Sequence, residues 1–232
     1  MMITIETLKK KYKAAFALNI KNLRIEAGEM IGVVGNNGAG KSTLFSLILD
    51  IIEATEGKVA LKNHIVSESD EWKKFTGAYL DESFLIEFLT PKEYFEFVGD
   101  LHDWNKQQVS KFVNEYMDFF GEEILMSKKL IRELSKGTIS KIGIIAALIG
   151  NPEILILDEP FAHLDPTSQF RLKNILKTIN QVLSTTILVS SHDLKHVTDL
   201  CQRIIVLEKG EIKKDMKTSN ETLKDLEAHF EV

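Results

Sequence analysis

Two kinds of hydrophobic pattern alternate along the chain. Near the N-terminus, Ile3 to Leu8, Phe16 to Ile25 and, after Gly57, Lys58 to Val66 switch between apolar and polar residues. That period of two belongs to strands with one wet face, and the three segments predict a small antiparallel sheet. Four others, Met30 to Val34, Ile154 to Leu157, Thr186 to Ser190 and Ile204 to Leu207, are short apolar runs with little polar alternation. Such runs are expected of strands buried on both faces of a parallel sheet. Helical periodicity follows several of them, over Lys41 to Ile51, Gln169 to Leu183 and Asp193 to Cys201. Strand then helix, repeated, predicts a right-handed α/β layer.

Between about residues 84 and 149 the pattern turns helical, with no convincing strand. Thr90-Pro91-Lys92-Glu93 forms a capping box with proline at the first helical position, so a helix starts there and carries Tyr94, Phe97, Val98 and Leu101. A second helix is predicted after Asn105 and a third from Ser135 through Ile149. The whole reads as one domain over 1–232. Its α/β core with the β subdomain occupies 1–83 and 150–232, and a helical subdomain is inserted at 84–149. The tail from Asp215 onward reads as a charged segment ending in a short amphipathic helix.

Composition changes this picture little. With 232 residues, 44% of them hydrophobic and 27% charged, the chain belongs with ordinary globular proteins. A net charge of -5 gives it no overall reason to seek nucleic acid, and Lys9, Lys10, Lys11 and Lys13 read as a solvated segment. A single cysteine, Cys201, excludes an internal disulfide and reads as a buried small hydrophobe. The stretch Met1 to Tyr12 is unlike a secretory signal. Ile142 to Leu157 is too short to span a bilayer and is interrupted by Asn151, Pro152 and Glu153. Any membrane role therefore calls for a second, spanning chain.

Candidate chemistry begins at Gly35-Asn36-Asn37-Gly38-Ala39-Gly40-Lys41-Ser42, followed by Thr43, which has the spacing of a P-loop. The segment lies between an apolar strand and a helix start. There, glycines let backbone N–H groups turn toward phosphate oxygens, and the helix N-terminus adds partial positive charge. Lys41 is expected to reach the β- and γ-phosphates of a nucleoside triphosphate, and Ser42 to ligate Mg²⁺. The buried strand Ile154 to Leu157 ends in Asp158-Glu159-Pro160, two adjacent carboxylates at the sheet edge where α/β proteins bind ligands. Asp158 is placed to hold Mg²⁺ through its waters, and Glu159 to polarise the attacking water. His192 follows a further core strand and is expected to meet the γ-phosphate or that water.

The order of these motifs resembles the ATPase subunit of ATP-binding cassette (ABC) transporters, over nearly the whole chain. Leu134-Ser135-Lys136-Gly137-Thr138 resembles the family's signature, Ala162-His163-Leu164-Asp165 its D-loop, and Ser191-His192-Asp193 its switch-histidine segment. Tyr12 stands where an aromatic stacks on adenine, and Glu82 stands at the Q-loop position, where it would approach Mg²⁺ or its waters. The resemblance implies a RecA-like P-loop NTPase core. It also implies a dimer, homomeric or heteromeric, with ATP sandwiched between one subunit's P-loop and Ser135 and Gly137 of the other. Closure on ATP would drive a membrane-spanning permease, with this chain peripheral on the cytoplasmic face of the cell membrane. Lys136 and Thr138 depart from the usual Leu-Ser-Gly-Gly-Gln, Glu82 from the commonest glutamine, and His163 from a small residue. The Lys-Gly signature and the acidic Q-loop position look more like exporter-type cassettes. Of the aromatics after Glu82, part could dock the permease. Soluble cassettes of translation or repair usually carry two cassettes or long insertions, and a GTPase would need a base-reading Asn-Lys-x-Asp segment. None of these features occurs here.

Overall fold

The computed structural model describes residues 1–13 and 15–230, so the last two positions of the predicted tail lie outside it. In chain order the strands are β1 (Ile3–Tyr12), β2 (Ala15–Ile25), β3 (Met30–Val34), β4 (Glu56–Leu61), β5 (His64–Ile65), β6 (Thr76–Tyr79), β7 (Ile154–Leu157), β8 (Thr186–Ser191), β9 (Arg203–Glu208) and β10 (Glu211–Lys217). The helices are α1 (Lys41–Ile48), α2 (Pro91–Leu101), α3 (Lys106–Asn114), α4 (Met117–Phe120), α5 (Glu122–Leu125), α6 (Lys136–Ala146), α7 (Pro166–Leu183), α8 (Leu194–Leu200) and α9 (Thr222–Phe230).

They build two sheets. The first is antiparallel, in the order β2-β1-β4-β5. The second runs β10-β9-β3-β8-β7-β6, parallel throughout except that β10 returns antiparallel to β9. The apolar runs of the second sheet distribute their side chains as a period of two requires. Ile154 and Ile156 face one core with Ile31, Val33 and the α1 residues Leu44 and Phe45, while Leu155 and Leu157 face the other with Phe95, Ile142 and Ile145. The parallel sheet is thus a shared wall, with the antiparallel sheet and α1 on one side and the helices of the central segment on the other.

Local signals set the helix starts. Thr90 and Glu93 form the reciprocal capping box ahead of Pro91, and Asn105 and Gln108 form a second one ahead of α3. Asp165 caps α7 through the Ser168 N–H with proline at the first turn, so this helix starts before the predicted Gln169. Helix α1 stops at Ile48, three residues earlier than its periodicity suggested, and Asp50 beyond it has a left-handed φ of 51°.

Three strand expectations need correction. The segment Lys58 to Val66 is two strands, because a turn at Lys62 and Asn63, with Lys62 at φ 54°, folds the chain back on itself. Strand β10 occupies part of the predicted charged tail: it is an exposed, lysine-rich edge whose polar residues disguise the pattern. Strand β6 is Thr-Gly-Ala-Tyr, too short and too small to register as an apolar run. Gly77 within it has a packing reason. A Cβ there would lie 1.9 Å from the backbone oxygen of Ala147, which follows α6. Backbone cannot rotate away as a side chain can. Gly77→Ala is therefore expected to lose at least about 1–3 kcal/mol of stability, read as a lower urea midpoint at unchanged slope; an unshifted midpoint would contradict this packing.

Candidate functional site

The C-terminal ends of β3, β7 and β8 converge. The chain leaves β3 into Gly35 and enters α1 at Lys41, and the intervening loop closes on itself through the Ala39 N–H donating to Asn36 O at 3.0 Å. Gly38 and Gly40 take positive φ values of 80° and 108°. A cavity of about 490 Å³ opens on this loop, lined by Asn37, Gly38, Ala39, Gly40, Lys41, Ser42 and Thr43 together with Ala17, Glu159 and Lys209. A second, of about 290 Å³, adjoins it along Gly35, Asn36, Asn37 and His192.

Lys41 is only 7% exposed, and its ammonium donates to Gly35 O at 2.8 Å and lies 3.5 Å from Glu159 Oε1. Asp158 is buried at the end of β7, with the hydroxyls of Ser190 and Ser42 hydrogen-bonded to its carboxylate. Burial pushes the Asp158 carboxyl above its ordinary range, and those two hydroxyls only partly oppose the shift. Glu159 has a left-handed backbone, φ 47°, an unfavourable conformation held by its N–H donating to Ser190 Oγ at 2.8 Å. Its side chain meets His192 twice: Oε2 lies 2.8 Å from the ring Nδ1 and accepts the His192 N–H at 3.2 Å. Strand β8 therefore serves β7 at two points, through Ser190, which bonds the Asp158 carboxylate and the Glu159 N–H, and through His192 beyond its end.

The structure brings together Lys41, Ser42, Asp158, Glu159 and His192, along with the loop from Gly35 to Thr43. Other sequence candidates stand apart. Tyr12 is 54% exposed beside Lys10 and lines neither cavity. Glu82 pairs with Lys136 at 2.8 Å and lines neither cavity. Ser135 is exposed and caps α6, its Oγ accepting from the Thr138 N–H at 3.2 Å. Gly137 packs within its own chain: a Cβ there would sit 2.6 Å from the backbone oxygen of His163. This close approach gives the D-loop-like segment a structural link to α6 that its sequence did not suggest.

Three site residues escaped the sequence reading. Ser190 ends an apolar run and carried no motif. Ala17 reaches the cavity from β2, which runs beside the turn after β9, where the Asn19 N–H donates to Gly210 O at 2.7 Å. Lys209 lies in that turn, and the Gly210 N–H donates to Ala39 O at 2.9 Å, which holds the turn against the loop. Only tertiary contact reveals the last two.

A family profile described as ABC transporter matches residues 18–162, and a profile described as AAA domain, putative AbiEii toxin, Type IV TA system matches residues 128–197. The chain belongs to the ABC transporter family, as an ATP-binding cassette. It is 30% identical over 213 residues to the uncharacterized ABC transporter ATP-binding protein sll0415 of Synechocystis sp., covering 88% of this chain and 60% of that protein. Methionine import ATP-binding protein MetN 3 of Bacillus cereus is 32% identical over 220 residues, 91% of this chain and 64% of that protein. The chain thus spans about two thirds or less of the length of these relatives. Among solved structures, the dimeric post-hydrolysis state of the ATP-binding cassette MJ0796 bound to ADP and Pi superposes with a TM-score of 0.85 at 26% identity, covering 94% of this chain and all (100%) of that one. The cbiO1 protein from Clostridium perfringens, part of the ABC transporter complex cbiONQ, gives 0.79 at 26% identity, over 100% of this chain and 94% of that one.

Because folding raises the affinity of Asp158 for its proton, the associated stability is fully present below the ordinary carboxylate range. It is lost as pH rises through the raised folded value. Asp158→Asn removes that loss. Without nucleotide or metal, the variant is expected to melt at a higher temperature than the parent near neutral pH, with the gap shrinking in acid. Thermal melts across this range check it, and an equal or lower melting temperature near neutral pH would contradict the buried-charge account.

Proposed function

We propose that this chain is the ATP-binding and ATP-hydrolysing subunit of an ABC transporter and acts as half of a composite site. The observation that carries the reading is the grouping of Lys41, Asp158, Glu159 and His192 at one sheet edge beside a P-loop cavity. Lys41 already turns its ammonium along the loop toward Glu159, so phosphate oxygens entering the cavity meet a desolvated cation and the N-terminus of α1. Adenine stacking is assigned to Tyr12, whose exposed ring is available for it.

Ser42 and Asp158 offer a hydroxyl and a carboxylate already in mutual contact, a hard-oxygen pair that suits Mg²⁺ with most of its waters retained. Held there by Ser42 and Asp158 together with ATP, Mg²⁺ would supply positive charge against the negative charge that develops in phosphoryl transfer. It would also compensate the buried Asp158 charge. Glu82 is the further oxygen donor proposed for the metal waters, once released from Lys136. Glu159 orients the attacking water and takes up its proton. His192 holds the Glu159 carboxylate through Nδ1 and its backbone N–H, which leaves Nε2 for the water or a γ-phosphate oxygen.

Ser135 and Gly137 do not line this chain's own cavity, and they are assigned to the ATP of a second ATPase subunit. Among the described residues no helix is long and apolar enough to cross a membrane. The spanning partner is then a separate permease, approached from the cytoplasmic face. Its landing area is assigned to the loop after Glu82, where Phe84 and Phe88 are 53% and 61% exposed. Export is the proposed direction, resting on Glu82 and the Lys136-Gly137 signature; methionine import is the printed role of one relative and is said of that protein alone.

The purified chain is expected to hydrolyse ATP with magnesium, and Glu159→Gln to cut turnover by about 10²–10⁴-fold while forming an ATP-dependent dimer visible by light scattering. Turnover that survives in Glu159→Gln, or a strict monomer at saturating ATP with magnesium, would count against the composite site.

A further inference from the structure

The loop after β6 and the start of α6 are joined by charge. Glu82, on the helical turn Glu82–Phe84, lies 2.8 Å from Lys136 at the first position of α6, and this partner raises the affinity of Lys136 for its proton. A lysine in the first turn opposes the helix dipole, so α6 gains nothing from Lys136 alone. The bridge gives it a purpose. Both residues depart from the family's commonest choices, glutamine and glycine, and that uncharged combination could not form an ion pair.

The rest of α6 is attached on both sides. Tyr79, at the end of β6, bonds Ser140 through its hydroxyl at 3.0 Å, and its ring fills the space that a Cβ at Gly143 would need. Toward the D-loop-like segment, Gly137 abuts His163 O and Lys141 lies 3.7 Å from Asp165. Of these attachments, the Glu82–Lys136 pair is the one immediately beside Ser135.

We propose that Glu82 and Lys136 form a latch that ties the Ser135 end of α6 to the loop after β6, so that the two shift together. Lys136 is then a positioning residue for Ser135, and release of Glu82 toward nucleotide-bound metal would free that end of the helix. The positioning role rests on the proposed function, because it concerns the second subunit's ATP. The latch itself is a property of the single chain.

Amide hydrogen exchange of the nucleotide-free subunit reads the latch directly. In Glu82→Gln, the amides of Thr138 and Ile139, which close on Ser135, are expected to exchange about 2- to 5-fold faster. In Lys136→Gln the Leu85 amide, which closes on Glu82 O, should do the same. The charge-reversed pair, Glu82→Lys with Lys136→Glu, returns Leu85 to the parent rate, and high salt erases the difference between parent and single variants. Unchanged exchange in both single variants, or no recovery in the reversed pair, overturns the latch. In the Glu159→Gln background, Lys136→Gln should lower the ATP concentration for half-maximal dimerisation by about 2- to 30-fold, because it removes from each subunit of a homodimer a pair that must open before Glu82 turns to the metal. An unshifted requirement overturns the positioning role. A parent that fails to dimerise counts against the proposed function and leaves the exchange result to decide the latch.

Discussion

Two adjacent carboxylates at the end of one buried strand constrain the rest of this molecule. Asp158 is desolvated and Glu159 sits in a left-handed backbone conformation, and neither arrangement is favourable by itself. Both are held by the neighbouring strand: Ser190 donates to Asp158 and accepts from the Glu159 N–H, and His192 grips the Glu159 side chain. Lys41 and Ser42 close the arrangement from the loop after β3. Three parallel strands must therefore end in register, and β3, β7 and β8, buried along their whole length, are what fix that register.

In the proposed reading, the same constraint explains why the site is incomplete within one chain. The loop after β3 supplies donors to one side of the phosphates, while Ser135 lies exposed at the start of α6 and away from the cavity. Helix α6 is fastened to the end of β6 by Tyr79 and Glu82 and to the segment after β7 by Gly137 and Lys141. A shift at the carboxylate edge can therefore reach the surface that a second subunit would meet.

How much of this was legible follows the physics of each signal. The P-loop, the capping box at Thr90, the helix start after Asn105 and the apolar central strands are local, and sequence places them. Strand β6 escaped because Gly77 must fit beneath Ala147 and its neighbours Thr76 and Ala78 are small, so the strand presents little apolar bulk. Strand β10 escaped because an exposed edge is polar by necessity. In the site, Ser190, Ala17 and Lys209 act through neighbours distant in sequence, so no spacing reveals them. Glu82 and Lys136 each looked like a separate oddity until the fold placed one opposite the other.

The central claim is that each ATP is held by residues of two subunits, and complementation tests it most directly. Lys41→Ala protein has no competent P-loop and Ser135→Ala protein no competent signature, so neither is expected to turn over ATP alone. A mixed dimer restores one whole site. An equimolar mixture is then expected to recover about one quarter of the parent rate if pairing is random and the two sites act independently. A mixture no more active than the sum of its two components would contradict the shared site.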